Sequence, residues 1–198
     1  DWGGAVAWYL ASAEPERVEK LAILNSPHPR LLLQRFARLD QRQVPKSLYM
    51  LAFQLPWLPE RLFAPARLAR VMRSTASRRE AFTNADVSTF ERILSEPGTI
   101  TGSLNYYRAV FRDLLWPPRR RVLLDTLDRG VPSPTLVLWG ERDRFLDTSL
   151  LDGLDRHVTG PLEIQRIAQA GHWVQQEAPA EVNEALRRFF GSSAQPPQ

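Results

Sequence analysis

The feature that most constrains the fold is the segment Asp1-Trp2-Gly3-Gly4 with the apolar stretch that follows it. Adjacent glycines let a backbone turn sharply and pack closely, because neither carries a Cβ atom. From Ala5 to Ala11 the residues are apolar on every side of a helix, which predicts a buried helix. Glu14-Pro15 predicts its end, because proline has no N–H to donate. A sharp turn into a buried helix lifts one side chain into a pocket, and here that side chain is Asp1.

The composition fits one globular domain and restricts its chemistry. The chain has 198 residues, of which 43% are hydrophobic and 24% are charged, enough for a domain with a real core. It has no cysteine, which excludes disulfides and thiolate metal sites. The three histidines, His28, His157 and His172, do not stand at metal-ligand spacing. We therefore expect neither a metal nor another cofactor.

The charge pattern does not indicate a nucleic-acid partner. The net charge is +4, but acidic residues are interleaved along most of the chain. The densest basic run, Arg119-Arg120-Arg121 after Pro117-Pro118, predicts a solvated connector. We expect no nucleic-acid binding, and the pattern leaves the oligomeric state open.

The ends of the sequence and its hydropathy bear on location. No apolar run is long enough to span a bilayer, and no signal peptide is recognisable. We expect a cytoplasmic protein and leave an upstream membrane anchor open. The chain starts inside a turn motif and without Met, so we expect an N-terminally incomplete piece of a larger protein. Without the strand that should precede Asp1, we expect these residues alone to fold poorly and to be inactive.

Three short segments predict β-strands. Leu21 to Leu24 and Thr135 to Gly140 are apolar runs bounded by turn residues, which is typical of strands buried on both faces of a parallel sheet. Leu162 to Ile167 alternates, which predicts a half-exposed edge strand. A last helix begins near Pro179, and its apolar stripe consists of Val182, Ala185, Leu186, Phe189 and Phe190. Alternating strands and helices predict an α/β fold with a parallel sheet.

The chain between the first two strands has a different character. From Leu31 to Trp116 it has helical periods and no good strand. Helices are predicted from about Pro45 to Gln54, from a capping-box start at Thr83 to about Ser95, and from about Ser103 to Leu115. Such an insertion is typical of a cap over the strand ends, where α/β sheets bind ligands. We therefore predict a core of residues 1–28 and 120–190, a helical cap of residues 29–119, and a disordered tail of residues 191–198.

Three polar side chains are candidates for chemistry. If Asp1 is a nucleophile, a base must activate water, a third group must orient that base, and donors must receive the oxyanion. His172 lies in the Gly-containing loop before the last helix, and Asp143 follows the second strand. Alone, each is as well explained as a loop histidine or a turn aspartate. Together they follow the order nucleophile, acid, base, which favours a catalytic triad.

These motifs resemble those of the α/β-hydrolase-fold epoxide hydrolases over nearly the whole chain. DWGG resembles their elbow, Leu138 to Asp143 their acid-bearing turn, and Gly171-His172-Trp173 with Gln176 and Pro179 their histidine loop. Two cap segments match more specifically. Tyr49 to Trp57 resembles the helix with the family's first active-site tyrosine, and Leu104 to Arg108, after Pro97-Gly98, resembles the segment with the second. The resemblance implies the C-terminal part of an α/β-hydrolase, with a mostly parallel sheet and an inserted all-helical cap.

The resemblance also implies an activity and the residues that open the ring. The activity is a cofactor-independent conversion of a small or medium apolar epoxide to a vicinal diol. Asp1 would displace the ring oxygen to form an alkyl ester, while Tyr49 and Tyr107 would hydrogen-bond to that oxygen. Tyr106 points roughly 100° away from Tyr107 on the helix, and periodicity does not say which of them faces the pocket.

Hydrolysis of the ester would use the other candidate residues. His172, oriented by Asp143, would activate water, and the backbone N–H of Trp2 would receive the oxyanion. By resemblance, a second oxyanion donor lies upstream of the first residue. His28 is expected to shape the approach to the cap, and His157 is expected to face solvent.

Two other functions stay open. A haloalkane dehalogenase shares the Asp-Trp elbow, the histidine and the ester, but it must stabilise a halide with indole or amide donors, which Trp2 could supply. The paired phenols of Tyr49 and Tyr107 favour the epoxide hydrolase over this alternative. A non-catalytic α/β-hydrolase-fold protein that binds a ligand or partner under its cap is the second alternative.

Overall fold

The computed structural model describes residues 1–191 and confirms the three predicted strands. They are β1 (Leu21–Leu24), β2 (Thr135–Gly140) and β3 (Leu162–Ile167). All three are parallel, in the order β1-β2-β3, with Leu21 opposite Thr135 and Thr135 opposite Leu162. β2 is buried along its whole length, whereas β3 lies at an edge and buries only Ile167 fully, as its alternating sequence predicts.

Helices account for most of the remaining residues in the described part of the chain. The α-helices are α1 (Trp2–Ala13), α2 (Pro29–Ala37), α3 (Val44–Ser47), α4 (Tyr49–Ala52), α5 (Leu58–Leu62), α6 (Pro65–Thr75), α7 (Asn84–Leu94), α8 (Thr99–Leu115), α9 (Pro117–Leu127), α10 (Val174–Glu177) and α11 (Pro179–Gly191). Short 3₁₀ helices stand at Pro15–Arg17, Arg79–Ala81, Thr148–Leu151 and Leu154–Arg156. Helices α2 to α9 lie between β1 and β2 with no strand among them, where the helical insertion is predicted.

Two of the predicted insertion helices show how local hydrogen bonds set the bounds. The predicted helix from Pro45 to Gln54 is two short helices, α3 and α4, because the ladder is interrupted where Leu51 N–H donates to the Leu48 carbonyl three residues back. Helix α7 begins as predicted. The Asp86 N–H donates to the Thr83 hydroxyl, and the Thr83 N–H donates to the Asp86 carboxylate.

Proline and glycine explain other differences from the prediction. Helix α8 begins at Thr99 instead of Ser103, because Gly98 turns the chain into the helix from the left-handed conformation. Arg119-Arg120-Arg121, predicted as a solvated connector, is exposed but lies within α9. Pro117 favours this helix, since proline fits the first turn. The same signal stands at the start of α2, α5 and α6, which periodicity alone does not predict.

Helix α1 is buried on one face only, so the expectation of burial on all sides is wrong. Trp8 and Ala11 are fully buried, whereas Val6 is 55% and Leu10 is 42% exposed. Strand β1, predicted to be buried on both faces, likewise has two residues that are only half-buried. An apolar sequence identifies surface that can be buried, but a second element must cover it. Within residues 1–191, α1 packs on β1, α2 and α9, which cover one side of it.

The core consists of two apolar clusters, one on each face of the sheet. Val137 and Trp139 enter the first with Trp8 of α1, and Leu136 and Leu138 enter the second. Successive residues of β2 therefore point to opposite faces, as in any strand.

Helix α11 covers the second cluster. Val182 and Ala185 are buried in it, and Leu186 and Phe189 pack against it. Phe190, predicted on the same apolar stripe, is exposed instead, because it lies about 100° around the helix from Phe189.

The division into core, cap and tail stays a prediction, and two observations bear on its boundaries. The boundary at residue 120 falls inside the continuous helix α9, and α2, in the predicted cap, contributes Leu31 to the first core cluster. Gly191, predicted in the tail, is the last residue of α11. The rest of the predicted tail, residues 192–198, lies outside the described residues.

Among residues 1–191 there is no helix with the length and apolar character that crossing a bilayer requires.

Candidate active site

The carboxyl ends of the strands bring three predicted polar residues together. Asp143 shortly follows β2, and His172 lies in the loop between β3 and α10. Parallel strands end at the same edge of a sheet, so these two loops are neighbours. Asp1 directly precedes α1, which packs alongside β1. The Ser26 hydroxyl, just after β1, donates to the Asp1 carbonyl at 2.9 Å and fixes the start of α1 at this edge.

The His172 imidazole lies between two carboxylates. Its Nδ1 atom is 2.8 Å from Oδ2 of Asp143, and its Nε2 atom is 3.7 Å from Oδ2 of Asp1. Because a carboxylate only accepts hydrogen bonds, Nδ1 carries the proton and the lone pair of Nε2 faces Asp1. The distance to Asp1 is longer than a hydrogen bond. The geometry is that of a base held by one carboxylate and directed at another.

The three side chains differ in exposure. Those of Asp143 and His172 are 0% and 5% exposed, whereas that of Asp1 is 56% exposed. Asp1 is the N-cap of α1, but its side chain makes no capping hydrogen bond. Its carboxylate is therefore free to react at the N-terminal end of α1. The first N–H groups of α1, including that of Trp2, have no partner within the helix and are available as donors.

Asp143 is held by four hydrogen bonds. The backbone N–H groups of Phe145 and Leu146 donate to Oδ1 at 2.7 and 3.0 Å. Oδ2 accepts from His172 and from Nδ2 of Asn25 at 2.9 Å. These donors compensate a fully buried carboxylate for the water that it loses and hold it in a fixed orientation.

Asn25 is the residue of this site that sequence reasoning misses. It is fully buried, and besides binding Asp143 its side chain accepts from the Gly140 N–H at 2.7 Å and donates to the Gly140 carbonyl. Its φ of 40° is in the left-handed region, which asparagine tolerates better than most residues. The available signal was an asparagine directly after a buried strand, where a turn residue is also expected.

Two glycines allow the elements of the site to approach closely. A Cβ atom on Gly140 would lie 2.2 Å from the carbonyl oxygen of Gly171, next to the base. A Cβ atom on Gly4 would lie 2.3 Å from that of Ser26, so α1 packs against β1 as the sequence predicts for this turn. A Cβ atom on Gly3 would meet no atom of the described residues within 4 Å.

The helical insertion between β1 and β2 brings two of its tyrosines together, and both pack on neighbours of the site residues. The rings of Tyr49 and Tyr107 lie 6.1 Å apart, and Tyr107 contacts the ring of Trp2 edge-on at 4.9 Å. Tyr49 contacts Phe145, which in turn contacts His172 at 5.1 Å. Burial, with smaller contributions from Tyr107 and Asp143, raises the pKa of Tyr49 far above its ordinary value. The Tyr49 hydroxyl is therefore a neutral hydrogen-bond donor throughout the physiological range.

Tyr106 and Tyr107 differ in their surroundings. Tyr107 is half-buried and also packs on Phe53, whereas Tyr106 is 52% exposed and contacts Trp2 with a tilted ring at 5.6 Å. The partner of Tyr49 is thus Tyr107, and the role that the resemblance gives to Tyr107 stays a prediction. The Trp2 indole N–H is buried and has no hydrogen-bond partner among residues 1–191.

The other two histidines lie away from this cluster. His28 is fully buried, caps α2, and stacks on His157 with ring centroids 4.6 Å apart. His157 is half-buried, so the expectation that it faces solvent is wrong. Its ring is covered because it packs flat against His28, a contact between residues that are distant in sequence. The residues next to His157 in the sequence therefore do not predict that its ring is covered.

The chain has a parallel sheet with a helical insertion. Two aspartates and a histidine lie at the strand ends of that sheet. Together these features define an α/β-type hydrolase fold. The model of the alpha/beta hydrolase fold family matches residues 1–179, and the chain belongs to that family. Residues 1–191 contain no group of three or more His, Cys, Asp or Glu side chains arranged to hold a metal ion.

The chain is similar to several proteins named as epoxide hydrolases. It is 33% identical to Epoxide hydrolase 3 of Mus musculus, a match covering 96% of this chain and 50% of that protein. It is 32% identical to Epoxide hydrolase 4 of Homo sapiens, covering 96% and 51%. A mutant of an epoxide hydrolase from Bacillus megaterium, solved with its diol product, superposes with a TM-score of 0.79 at 26% identity, covering 97% and 67%. The chain spans about half the length of the curated relatives it matches.

Proposed function

We propose that this chain carries the catalytic residues of an epoxide hydrolase, which converts an apolar epoxide and water to a vicinal diol. The observation that carries the proposal is the pair of cap phenols, Tyr49 and Tyr107, whose rings pack on Phe145 and Trp2, next to His172 and Asp1. The similarity to proteins named as epoxide hydrolases supports it. The predicted cytoplasmic location is part of the same proposal.

In the first step, Asp1 opens the ring. One carboxylate oxygen forms a bond to a ring carbon, and the bond from that carbon to the ring oxygen breaks. The leaving oxygen takes a proton from the phenol pair of Tyr49 and Tyr107, so no free alkoxide forms. A neutral phenol suits this role, because burial keeps the Tyr49 hydroxyl protonated. The product of the step is an alkyl ester on Asp1.

In the second step, water hydrolyses the ester. Nε2 of His172 accepts a proton from water while the water oxygen bonds to the carboxyl carbon of Asp1. Asp143 stabilises the resulting imidazolium through the hydrogen bond at Nδ1. The Trp2 N–H donates to the developing oxyanion. Collapse of that intermediate breaks the bond between the carboxyl carbon and the alkyl oxygen, which takes the proton from the His172 imidazolium and leaves as the second hydroxyl of the diol. The carboxyl group of Asp1 then gives up the remaining proton of the water, which restores the carboxylate and the phenol pair.

The phenol pair is tested by substitution in the native polypeptide that contains these residues. Tyr49→Phe with Tyr107→Phe removes both donors while keeping the rings, and we expect styrene oxide turnover to fall by about 10³-fold or more. Tyr106→Phe is the matched control and changes turnover by less than about threefold, since its hydroxyl lies outside the pair. A double variant with unchanged turnover would remove the basis of the proposal.

The ester on Asp1 is tested by isotope labelling. With enzyme in excess over epoxide and the reaction run in heavy-oxygen water, the new oxygen enters the carboxyl group of Asp1 and not the diol. Mass spectrometry of the Asp1 peptide and of the diol measures both. Label found in the diol after one turnover contradicts the ester. Absence of both diol and label supports the non-catalytic alternative.

One observation supports a second candidate, a haloalkane dehalogenase-like hydrolase. The buried indole N–H of Trp2 has no hydrogen-bond partner in the described part of the chain, so it could donate to a halide. Bromide release from a 1-bromoalkane, measured beside styrene oxide hydrolysis on the same protein, separates the two functions. Faster bromide release that is lost in Trp2→Phe would favour the dehalogenase.

A further inference from the structure

Glu177 is a buried carboxylate that the reaction described above does not use. It ends α10, in the loop region that follows the base, and it is 1% exposed. A buried carboxylate is strongly destabilising unless hydrogen bonds compensate for the lost water. Within the described residues its two oxygens each have a backbone donor. Their positions indicate what Glu177 holds together.

One donor belongs to the histidine loop and the other to the cap. The N–H of Trp173, the residue after His172, donates to Oε1 of Glu177 at 3.2 Å. The N–H of Arg78, beyond the end of α6, donates to Oε2 at 3.0 Å. The Arg78 guanidinium also donates to the Glu177 carbonyl at 2.9 Å. The carboxylate therefore bridges a cap segment and the backbone next to the base.

The same cap segment makes further contacts with both catalytic loops. The Trp173 indole donates to the Thr75 hydroxyl at 3.2 Å. The Ser77 hydroxyl donates at 3.2 Å to the carbonyl of Arg142, which directly precedes Asp143. The residues from Thr75 to Arg78 thus contact the neighbours of His172 and of Asp143. We name this stretch the cap strut.

We propose that Glu177 is a positioning residue that couples the cap strut to His172 and sets the direction of its imidazole toward Asp1. The inference rests on the proposed epoxide hydrolase function. Because His172 acts only on the ester, Glu177 affects ester hydrolysis and leaves ring opening by Asp1 unchanged. A general loss of packing would instead slow both steps.

The decisive variant is Glu177→Gln, which keeps the shape of the side chain. An amide has one acceptor oxygen, so its NH₂ group must face one of the two backbone donors, and one of those hydrogen bonds is lost. Glu181→Gln is the matched control, since Glu181 is a carboxylate on α11 that accepts from the Gln169 side chain and not from the backbone N–H groups of Trp173 and Arg78. Single-turnover quenched reactions with styrene oxide, read by mass spectrometry, give the rates of ester formation on Asp1 and of ester loss.

We expect Glu177→Gln to form the ester within about twofold of the parent rate and to hydrolyse it about 10- to 100-fold more slowly, so that the ester accumulates. Glu181→Gln matches the parent in both steps. Equal slowing of both steps in Glu177→Gln, or unchanged hydrolysis, overturns the inference while leaving the proposed function intact. A parent protein that forms no ester overturns the proposed function itself.

A second variant serves if Glu177→Gln does not fold. Ser77→Ala removes only the hydrogen bond from the cap strut to the Arg142 carbonyl. We expect it to slow ester hydrolysis by about three- to tenfold with ester formation unchanged. Equal rates for Ser77→Ala and the parent in both steps would overturn the coupling of the cap strut to the catalytic loops.

Discussion

His172 and Asp143 are joined by a hydrogen bond of 2.8 Å that is almost fully removed from solvent. Because Asp143 as a carboxylate can only accept, this contact fixes the proton on Nδ1 and leaves Nε2 as the base. Everything that orients Asp143 therefore also determines whether His172 can accept a proton from water.

Asp143→Asn tests this dependence. The amide NH₂ would donate to Nδ1 and move the imidazole proton to Nε2, where it blocks proton acceptance, so we expect ester hydrolysis to fall by about 10⁴-fold. Asp147→Asn is the control, because Asp147 is a nearby carboxylate that pairs with Lys46 and not with the base. Steady-state epoxide turnover measures the effect. If the turnover of Asp143→Asn stays within about tenfold of that of the parent, the hydrogen bond is not required for catalysis.

Asn25 is expected to contribute to stability through two separable effects. Asn25→Gly keeps the left-handed backbone but removes the side-chain bonds to Asp143 and Gly140, so we expect the free energy of unfolding to fall by about 1–3 kcal/mol. Asn25→Ala also places a Cβ atom on a left-handed backbone. We therefore expect its free energy of unfolding to be about 1–2 kcal/mol lower than that of Asn25→Gly. Denaturant titration measures both values. Equal stability of the two variants would contradict the backbone contribution.

Gly140→Ala tests the close approach between the end of β2 and the histidine loop. The added methyl group would lie 2.2 Å from the Gly171 carbonyl oxygen, so the loop must move and carry His172 with it. We expect activity to fall by about 100-fold and the free energy of unfolding by about 1–3 kcal/mol.

Gly102→Ala is the control for that change. Gly102 lies inside α8, and a Cβ atom there meets nothing within 4 Å. We expect activity to stay the same and stability to rise by about 0.5–1 kcal/mol, because alanine favours a helix interior. Similar activity losses in the two variants would show that the contact with Gly171 is unimportant.

The sequence is sufficient for the parts of this structure that rest on local signals. The apolar run of β2 lies in the sheet interior, as predicted, and the capping box at Thr83 and Asp86 fixes the start of α7. The order of Asp1, Asp143 and His172, combined with strands that end at one edge, predicts that the three meet.

The remaining features depend on contacts between residues distant in sequence. Nothing beside Asn25 or Glu177 indicates that their side chains reach Gly140 and Arg78. Tyr106 and Tyr107 are adjacent, and only their packing against residues distant in sequence, such as Tyr49 and Phe53, distinguishes them. Burial of α1 could not be predicted correctly either, because an apolar helix does not specify which of its faces another element covers.

The stacked pair of His28 and His157 predicts a pH dependence of stability. Burial, with a smaller effect of neighbouring His157, lowers the pKa of His28 from 6.5 to about 3. Below about pH 6.5 the unfolded chain binds a proton at His28 that the folded protein does not bind, so stability falls as pH decreases. The loss proceeds at up to about 1.4 kcal/mol per pH unit and ends near the folded pKa.

His28→Phe keeps an aromatic ring in the stack and removes this proton linkage. Between about pH 7 and pH 4.5 we expect the parent to lose roughly 2–3 kcal/mol of unfolding free energy more than the variant, measured by denaturant titration. His157→Phe is the control. Burial also lowers the pKa of His157, but its ring is only half-buried, so its contribution to the slope is smaller. Parallel pH profiles for the parent and His28→Phe would mean that His28 takes up a proton in the folded protein as readily as in the unfolded chain.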